Sequence, residues 1–269
     1  ALLTGSKNAL KGLGFFLGGV LLSVCGFVYA LWIMAGILFA LLILSGWLLP
    51  NSMGKASTKA KIKEIFSESR PINILSIARV FLFGARDVWF VVALPVFLLS
   101  ELNWNFKAVG GFLALWIIGY GIVQSLAPSL IKSSEDGHSK ELKYAFAWMV
   151  ILCLVTFAIT LAIELQFHIT LSLLIGLAIF GFCFAVNSAL HSYLILNFSN
   201  VDNVALSVGF YYSANAAGRL LGTLLSGIAY QIAGLTGALA VALSMLIIAT
   251  VFTMLLAPAF NREKSHLVQ

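Results

Sequence analysis

The sequence predicts an all-α membrane protein of about eight membrane-spanning helices, and three observations carry that reading. Of its 269 residues, 61% are hydrophobic and only 10% are charged, with a mean hydropathy of +1.03. Soluble domains carry about 25% charged residues. Apolar runs of the length a bilayer requires, about 20 residues, recur along the chain between short polar breaks. The runs also lack the apolar–polar alternation of barrel strands.

Taken in order, the runs place helices over 6–27, 29–49, 72–100, 108–130, 141–163, 168–197, 204–231 and 235–257. The first begins almost at Ala1, with no charged n-region or small-residue cleavage site ahead of it, so it does not read as a signal peptide. The expectation is a fragment whose earlier helices lie upstream. Gly14-x-x-x-Gly18 in the first run and Gly218-x-x-x-Gly222 in the seventh suit close helix contacts. Pro95 is expected to kink the third run. Cys25, Cys153 and Cys183 lie singly in apolar runs, a spacing that suits neither a disulfide framework nor a zinc site.

One segment breaks the pattern. Asn51–Pro71 is polar and carries Lys55, Lys59, Lys61, Lys63 and Arg70. It divides two helices from six, and part of it is expected to lie as a basic amphipathic helix on the membrane surface. If it is cytoplasmic, the 131–143 loop (Lys132, Lys140, Lys143) and the tail (Arg262, Lys264) fall on the same side, and the opposite loops hold only Lys107. That orientation puts the Asn197-Phe-Ser glycosylation triplet in the cytoplasm, where it has no meaning.

The chain then divides into 1–50, the last two helices of an N-terminal bundle; 51–71, a central cytoplasmic loop; 72–258, a six-helix C-terminal bundle; and 259–269, a cytoplasmic tail. Two helices, a basic loop and six more helices suggest a truncated twelve-helix transporter. Such transporters are built from two halves with the substrate site between them near the midplane.

The charges inside the runs carry the functional reading. A charge at the centre of a spanning helix costs about 2.5–3.5 kcal/mol on insertion scales, so such groups should face a cavity or a partner. The runs hold Lys7, Lys11, Arg79, Arg86, Asp87 and Arg219. Arg86, Asp87, Asn215 and Arg219 fall near mid-depth. Lys7, Lys11, Arg79, Gln124, Asn187 and His191 fall in the inner half. Arg79 and Arg86, seven apart, share a helix face, and Tyr211, Asn215 and Arg219 form one stripe at i, i+4, i+8. Asp87 points about a quarter-turn from Arg86, so these neighbours are not expected to neutralise each other within the helix.

Five basic groups against one acid suit a phosphate-like or carboxylate anion, because guanidinium donates paired hydrogen bonds to paired oxygens. The candidate substrate-binding set is Arg86, Arg219, Arg79, Asn215, Tyr211, Asn187, His191 and Gln124. Tyr120, Tyr193, Tyr212 and Trp89 could add donors and shape. Asp87 is a counter-ion or a proton carrier. Lys7 and Lys11 either touch an anion from the cytoplasmic side or snorkel to the inner surface. For Arg79 the alternatives are headgroup pairing or helix capping; for Asn187, Asn215 and Gln124, interhelical hydrogen bonding.

No phosphate-cradling glycine loop and no His-Glu-x-x-His spacing is present. Nothing marks a nucleophile, a metal site or a cofactor, so the expectation is a non-enzyme with no nucleic-acid partner. A non-transporting receptor or assembly factor is the alternative outside transport.

Five blocks carry a family resemblance: "LTGSKNALKGLGFFLGG" (Leu3–Gly19), "ARVFLFGARDVWFVVALPVFL" (Ala78–Leu98), "GGFLALWIIGYGIVQSLAP" (Gly110–Pro128), "FAVNSALHSYLIL" (Phe184–Leu196) and "VGFYYSANAAGRLLGTLLSG" (Val208–Gly227). The chain resembles the C-terminal two-thirds of a major facilitator superfamily permease, and these blocks are similar to the organoarsenical efflux permeases of the ArsJ family. The resemblance implies a bacterial inner-membrane exporter of 1-arseno-3-phosphoglycerate in arsenic resistance, working by alternating access. It also implies a functional link to the glyceraldehyde-3-phosphate dehydrogenase that makes this substrate. The 131–143 segment is only a faint echo of the superfamily's basic Asp-Arg-Gly loop, and another organic anion or a drug is the alternative cargo.

Overall fold

Two glycines set the course of the longest helices. The structure, a computed structural model, describes residues 2–49, 69–130, 139–199 and 204–259. Helix α1 (Leu2–Leu48) leaves helical geometry at Gly26, with φ 72° and ψ 174°. Helix α7 (Val204–Met254) does so at Ala233 (φ −146°, ψ 29°) and Gly234 (φ 60°, ψ −153°). A positive φ is open to glycine at no steric cost. Unbroken, the 51 residues of α7 would reach about 75 Å at roughly 1.5 Å per residue, over twice a bilayer core of about 30 Å. Gly84 settles what the α7 break does. A methyl group built on it would meet both the Gly218 carbonyl oxygen, at 3.0 Å, and the end of Met245. Those residues flank the break, so α7 doubles back there.

Between them run α2 (Arg70–Val88), a π-helical turn (Trp89–Ala93), α3 (Leu94–Ser100), α4 (Phe106–Leu130), α5 (Ser139–Glu164) and α6 (Ile169–Phe198). Among the described residues there is no strand. Among the described residues, six stretches are long and apolar enough to cross a membrane, the helical bundle of a multi-pass membrane protein. Of the runs read from the sequence, α1 and α7 each hold two, one on either side of the break. The expected amphipathic surface helix within 51–71, most of the 131–143 loop and the 260–269 tail lie outside the described residues.

The α2–α3 stretch is the most deeply buried of the six, and its kink is visible in detail. Pro95 has no N–H and its ring cannot tolerate a regular preceding turn. The chain widens into a π-turn, and Leu94 N–H bonds back to the Trp89 carbonyl. The freed amides of Val92 and Ala93 both donate to Ser226 Oγ on α7, at 3.2 and 3.1 Å. A buried amide left unpaired costs about 1–3 kcal/mol, so Ser226 stabilises the kink. Farther along, Asn105 Oδ1 accepts from Ala108 N–H at 2.8 Å and caps the start of α4.

Two glycine seams bring helices together. Gly218 lies against the Val80 carbonyl and Gly222 against the Gly84 carbonyl, joining α7 to α2. Gly19 faces Gly110, where an added methyl would come within 3.1 Å of the opposite Cα, joining α1 to α4. The apolar interior forms two clusters. One surrounds Trp89, Trp116, Phe180 and Phe184. The other surrounds Ile72, Leu75, Leu190, Leu194 and Leu256.

Gly218→Ala forces α7 away from the Val80 carbonyl. We expect a loss of about 1–3 kcal/mol, the usual range for overpacking, read as a lowered Tm of the protein in nanodiscs. Gly209→Ala, on the same helix but with open space around it, should leave Tm unchanged or raise it. Equal Tm values for the two variants would remove the claim that the seam is tight.

Candidate functional site

The polar interior is a layer between those two apolar clusters, drawn from α2, α4, α6 and α7. On α2, Arg79 lies between Leu75, in one cluster, and Leu82 and Phe83, in the other. The layer resolves into two groups of side chains.

The first group centres on Asp87, whose carboxylate is 1% exposed. Its Oδ1 accepts from Arg86 Nε at 2.7 Å, and its Oδ2 accepts from Arg219 Nε at 3.0 Å. One carboxylate therefore holds two guanidinium groups, one from its own helix and one from α7. The burial is uneven: the Arg86 side chain is 10% exposed and the Arg219 side chain 48%. Arg219 thus gives its Nε to Asp87 while half of its side chain stays open.

The direct Arg86–Asp87 bond corrects the sequence expectation that these neighbours could not neutralise each other. The quarter-turn between their Cβ directions is real, but an arginine stem is long enough to curl around the helix. The Phe83 and Phe184 rings, 5.2 and 5.4 Å from the Arg86 guanidinium carbon, hold the group there.

The second group centres on Ser188, in the middle of α6. Arg79 Nη1 donates to its carbonyl at 3.3 Å and to its Oγ at 3.2 Å. Gln124 Nε2 donates to the same hydroxyl at 3.1 Å, and Tyr120 OH approaches it at 3.5 Å. The Arg79 guanidinium carbon lies 3.8 Å from the Phe83 ring centre and 4.7 Å from that of Tyr211. Asn187 and His191, on either side of Ser188, are fully buried. Neither the amide of Asn187 nor either ring nitrogen of His191 has a hydrogen-bond partner, and Arg79 Nε has none either.

The groups share Phe83. The distances of 3.8 and 5.2 Å from its centre sum to 9.0 Å, so the Arg79 and Arg86 guanidinium carbons are no farther apart than that. The Tyr211, Asn215, Arg219 stripe divides between them. Tyr211 is buried against Arg79, Arg219 belongs with Asp87, and Asn215 is half-buried between the two.

Of the sequence candidates, Lys7 has its side chain outside the described residues. Lys11 is exposed. Its neighbour Gly12 packs on Ala114 and Ile118, near the middle of α4. One turn beyond, Phe15 meets Phe90 edge-on at 5.7 Å, and Arg86 is one turn before Phe90. Lys11 therefore shares the level of Arg86 along the bundle. Trp89, a candidate donor, is sealed among Phe90, Trp116 and Phe180 instead. Sequence reasoning missed Ser188, the hub of the second group, because serine inside an apolar helix usually bonds its own backbone. Among the described residues, no cluster of His, Cys, Asp or Glu is suited to hold a metal ion.

Asp87→Asn leaves two interior cations without their carboxylate. Breaking a buried pair costs about 3–5 kcal/mol; the exposure of Arg219 brings the expectation to the lower end, about 3 kcal/mol. Unfolding of the protein in mixed micelles measures it. Adding Arg219→Gln should recover part of the loss, and strict additivity of the two substitutions would count against the shared carboxylate.

Searches against family models and against curated proteins find no match to this chain, so its chemistry rests on its own residues.

Proposed function

We propose that this chain belongs to a secondary transporter that carries a small organic anion across a bacterial inner membrane by alternating access. The observation that carries the reading is the half-open arginine, Arg219, held at the depth of a membrane span by a buried carboxylate. An arginine facing hydrocarbon there is costly, whereas one facing a water-lined path is a ready anion contact. Around it, Arg86 adds a second guanidinium within the same ion network, and Lys11 adds a third cation at the same level. Asp87 serves as counter-ion and is the one acid in the network placed to take up a proton as the anion moves.

In this reading Arg219 and Arg86 are the anion clamps, with Asn215 beside them on α7. The glycine seam of α1 on α4 is the surface along which the two bundles rock, and the seam of α2 on α7 holds the second bundle together. The division into two helices of one half and six of the other remains part of the proposal, as does membership of the major facilitator superfamily. The sequence blocks similar to organoarsenical efflux permeases make 1-arseno-3-phosphoglycerate the first substrate to test. Another organic anion is the second choice.

Everted membrane vesicles containing the intact protein, supplied with the dehydrogenase, glyceraldehyde 3-phosphate, NAD and arsenate, should accumulate the organoarsenical. Arg86→Ala, inserted at normal level, should lose at least tenfold in rate. If wild-type vesicles accumulate nothing, the arsenical assignment falls and other organic anions are tried in the same vesicles. Anion bound without flux of any of them would favour a receptor. For coupling, an imposed pH gradient should change the rate severalfold through Asp87, and a rate indifferent to the gradient would remove proton antiport.

A further inference from the structure

Arg79 differs from the other interior arginines in having no carboxylate. It is 4% exposed, and among the described residues no acid forms an ion pair with it; those of Asp87 go to Arg86 and Arg219. Its bonds to Ser188, at 3.2 and 3.3 Å, are long and go to neutral oxygens. The two aromatic rings at 3.8 and 4.7 Å supply cation–π attraction of about 0.5–2 kcal/mol each. An unpaired buried cation costs several kcal/mol, so the rings and the serine reduce the deficit without removing it.

The groups beside it are short of partners in a matching way. Asn187 and His191 are each fully buried with every side-chain polar atom unbonded. His191 lies three residues beyond Ser188 and so faces the same side of α6. Asn187 is the residue before Ser188 and stands one turn from His191. Arg79 Nε, also unbonded, completes a set of unpartnered polar groups on two helices around a single serine, closed by Tyr211 from α7. Buried polar groups in native proteins nearly always have partners. A cation without a counter-charge, beside an amide and an imidazole whose donors are unused, lacks one thing in particular: a small acceptor with negative charge.

We infer that Arg79, Asn187, Ser188 and His191 form a seat for a small inorganic anion, of chloride or phosphate size, held between α2, α6 and α7. It is a different place from the open arginine at which the transported anion is proposed to bind. The seat is sealed and Arg219 is half-open, so the seat suits a compact ion stripped of most of its water. The inference needs no transport by this protein and is tested by binding alone.

The test uses the intact protein in nanodiscs, with Tm measured in sodium gluconate and in sodium chloride or sodium phosphate at matched ionic strength. Wild type and Arg219→Gln should both gain Tm saturably with the small anions, by about 2–4 °C, the scale of modest ligand linkage in chains of this size. Arg79→Gln should lose the response. Asn187→Asp guards against a variant that fails to fold, because it supplies a carboxylate on the residue next to Ser188, which Arg79 binds. It should raise Tm in gluconate and abolish the response to chloride and phosphate. The seat is overturned if wild type shows no response, or if the response survives Arg79→Gln or Asn187→Asp, or is lost in Arg219→Gln instead. Flux that fails in vesicles while the anion response persists removes the transport reading and supports the seat.

Discussion

One carboxylate organises the polar interior. Asp87 has two oxygens and gives each to a different arginine, one a neighbour on α2 and one on α7. Neither arginine would be tolerable at this depth without it, because the attraction of opposite charges is what offsets their desolvation. The glycine seam is the condition for this pairing. Gly218 and Gly222 rest on the Val80 and Gly84 carbonyls, which brings the α7 backbone close enough for Arg219, between those glycines, to reach Asp87 one turn beyond Gly84. A methyl group at either glycine would push the helices apart and lengthen the bond between Arg219 and Asp87.

The same pair of helices is tied again two turns farther along. Ser226 follows Arg219 by seven residues on α7, and its hydroxyl takes both amides freed by the π-turn. Without Pro95 there would be no π-turn; without the π-turn, Ser226 would have no amides to accept from. Between the ion pair and the serine lies Trp89, fully buried in an aromatic cluster. Any movement of α7 against α2 has to break a charged contact at one end and a two-amide contact at the other. Such motions are therefore coupled: the arginine cannot leave Asp87 by rigid-body sliding while the kink stays as it is.

Much of this was legible in the sequence, and the exceptions have physical reasons. Long apolar runs reveal helices because lipid demands them, and Gly26 and Gly234 fall where the runs divide. Asp87, Arg86 and Arg219 were conspicuous because charge inside an apolar run is expensive. The Arg86–Asp87 bond was not foreseen, because the periodicity of a helix describes where Cβ points and says nothing of how far an arginine stem can bend. Ser188 gave no signal, since a serine in an apolar helix has a bland partner in its own backbone. The separation into two polar groups was also hidden: Tyr211 and Arg219 lie on one stripe of α7, yet they face different arginines.

That separation changes how the positive interior is understood. Counted together, three arginines against one acid suggest a uniformly cationic cavity. Placed in space, two of the three are paired and one is not, and the unpaired one is among the most sealed. An exposed cation can be satisfied by water at little cost, but a sealed one cannot, and the groups in contact with Arg79 are aromatic rings and a neutral serine. Selectivity for anions would then come from two different causes. At Arg219 it comes from an accessible guanidinium that Asp87 holds through only one of its nitrogens. At Arg79 it comes from a deficit of negative charge that the fold itself creates and only a small anion can make good.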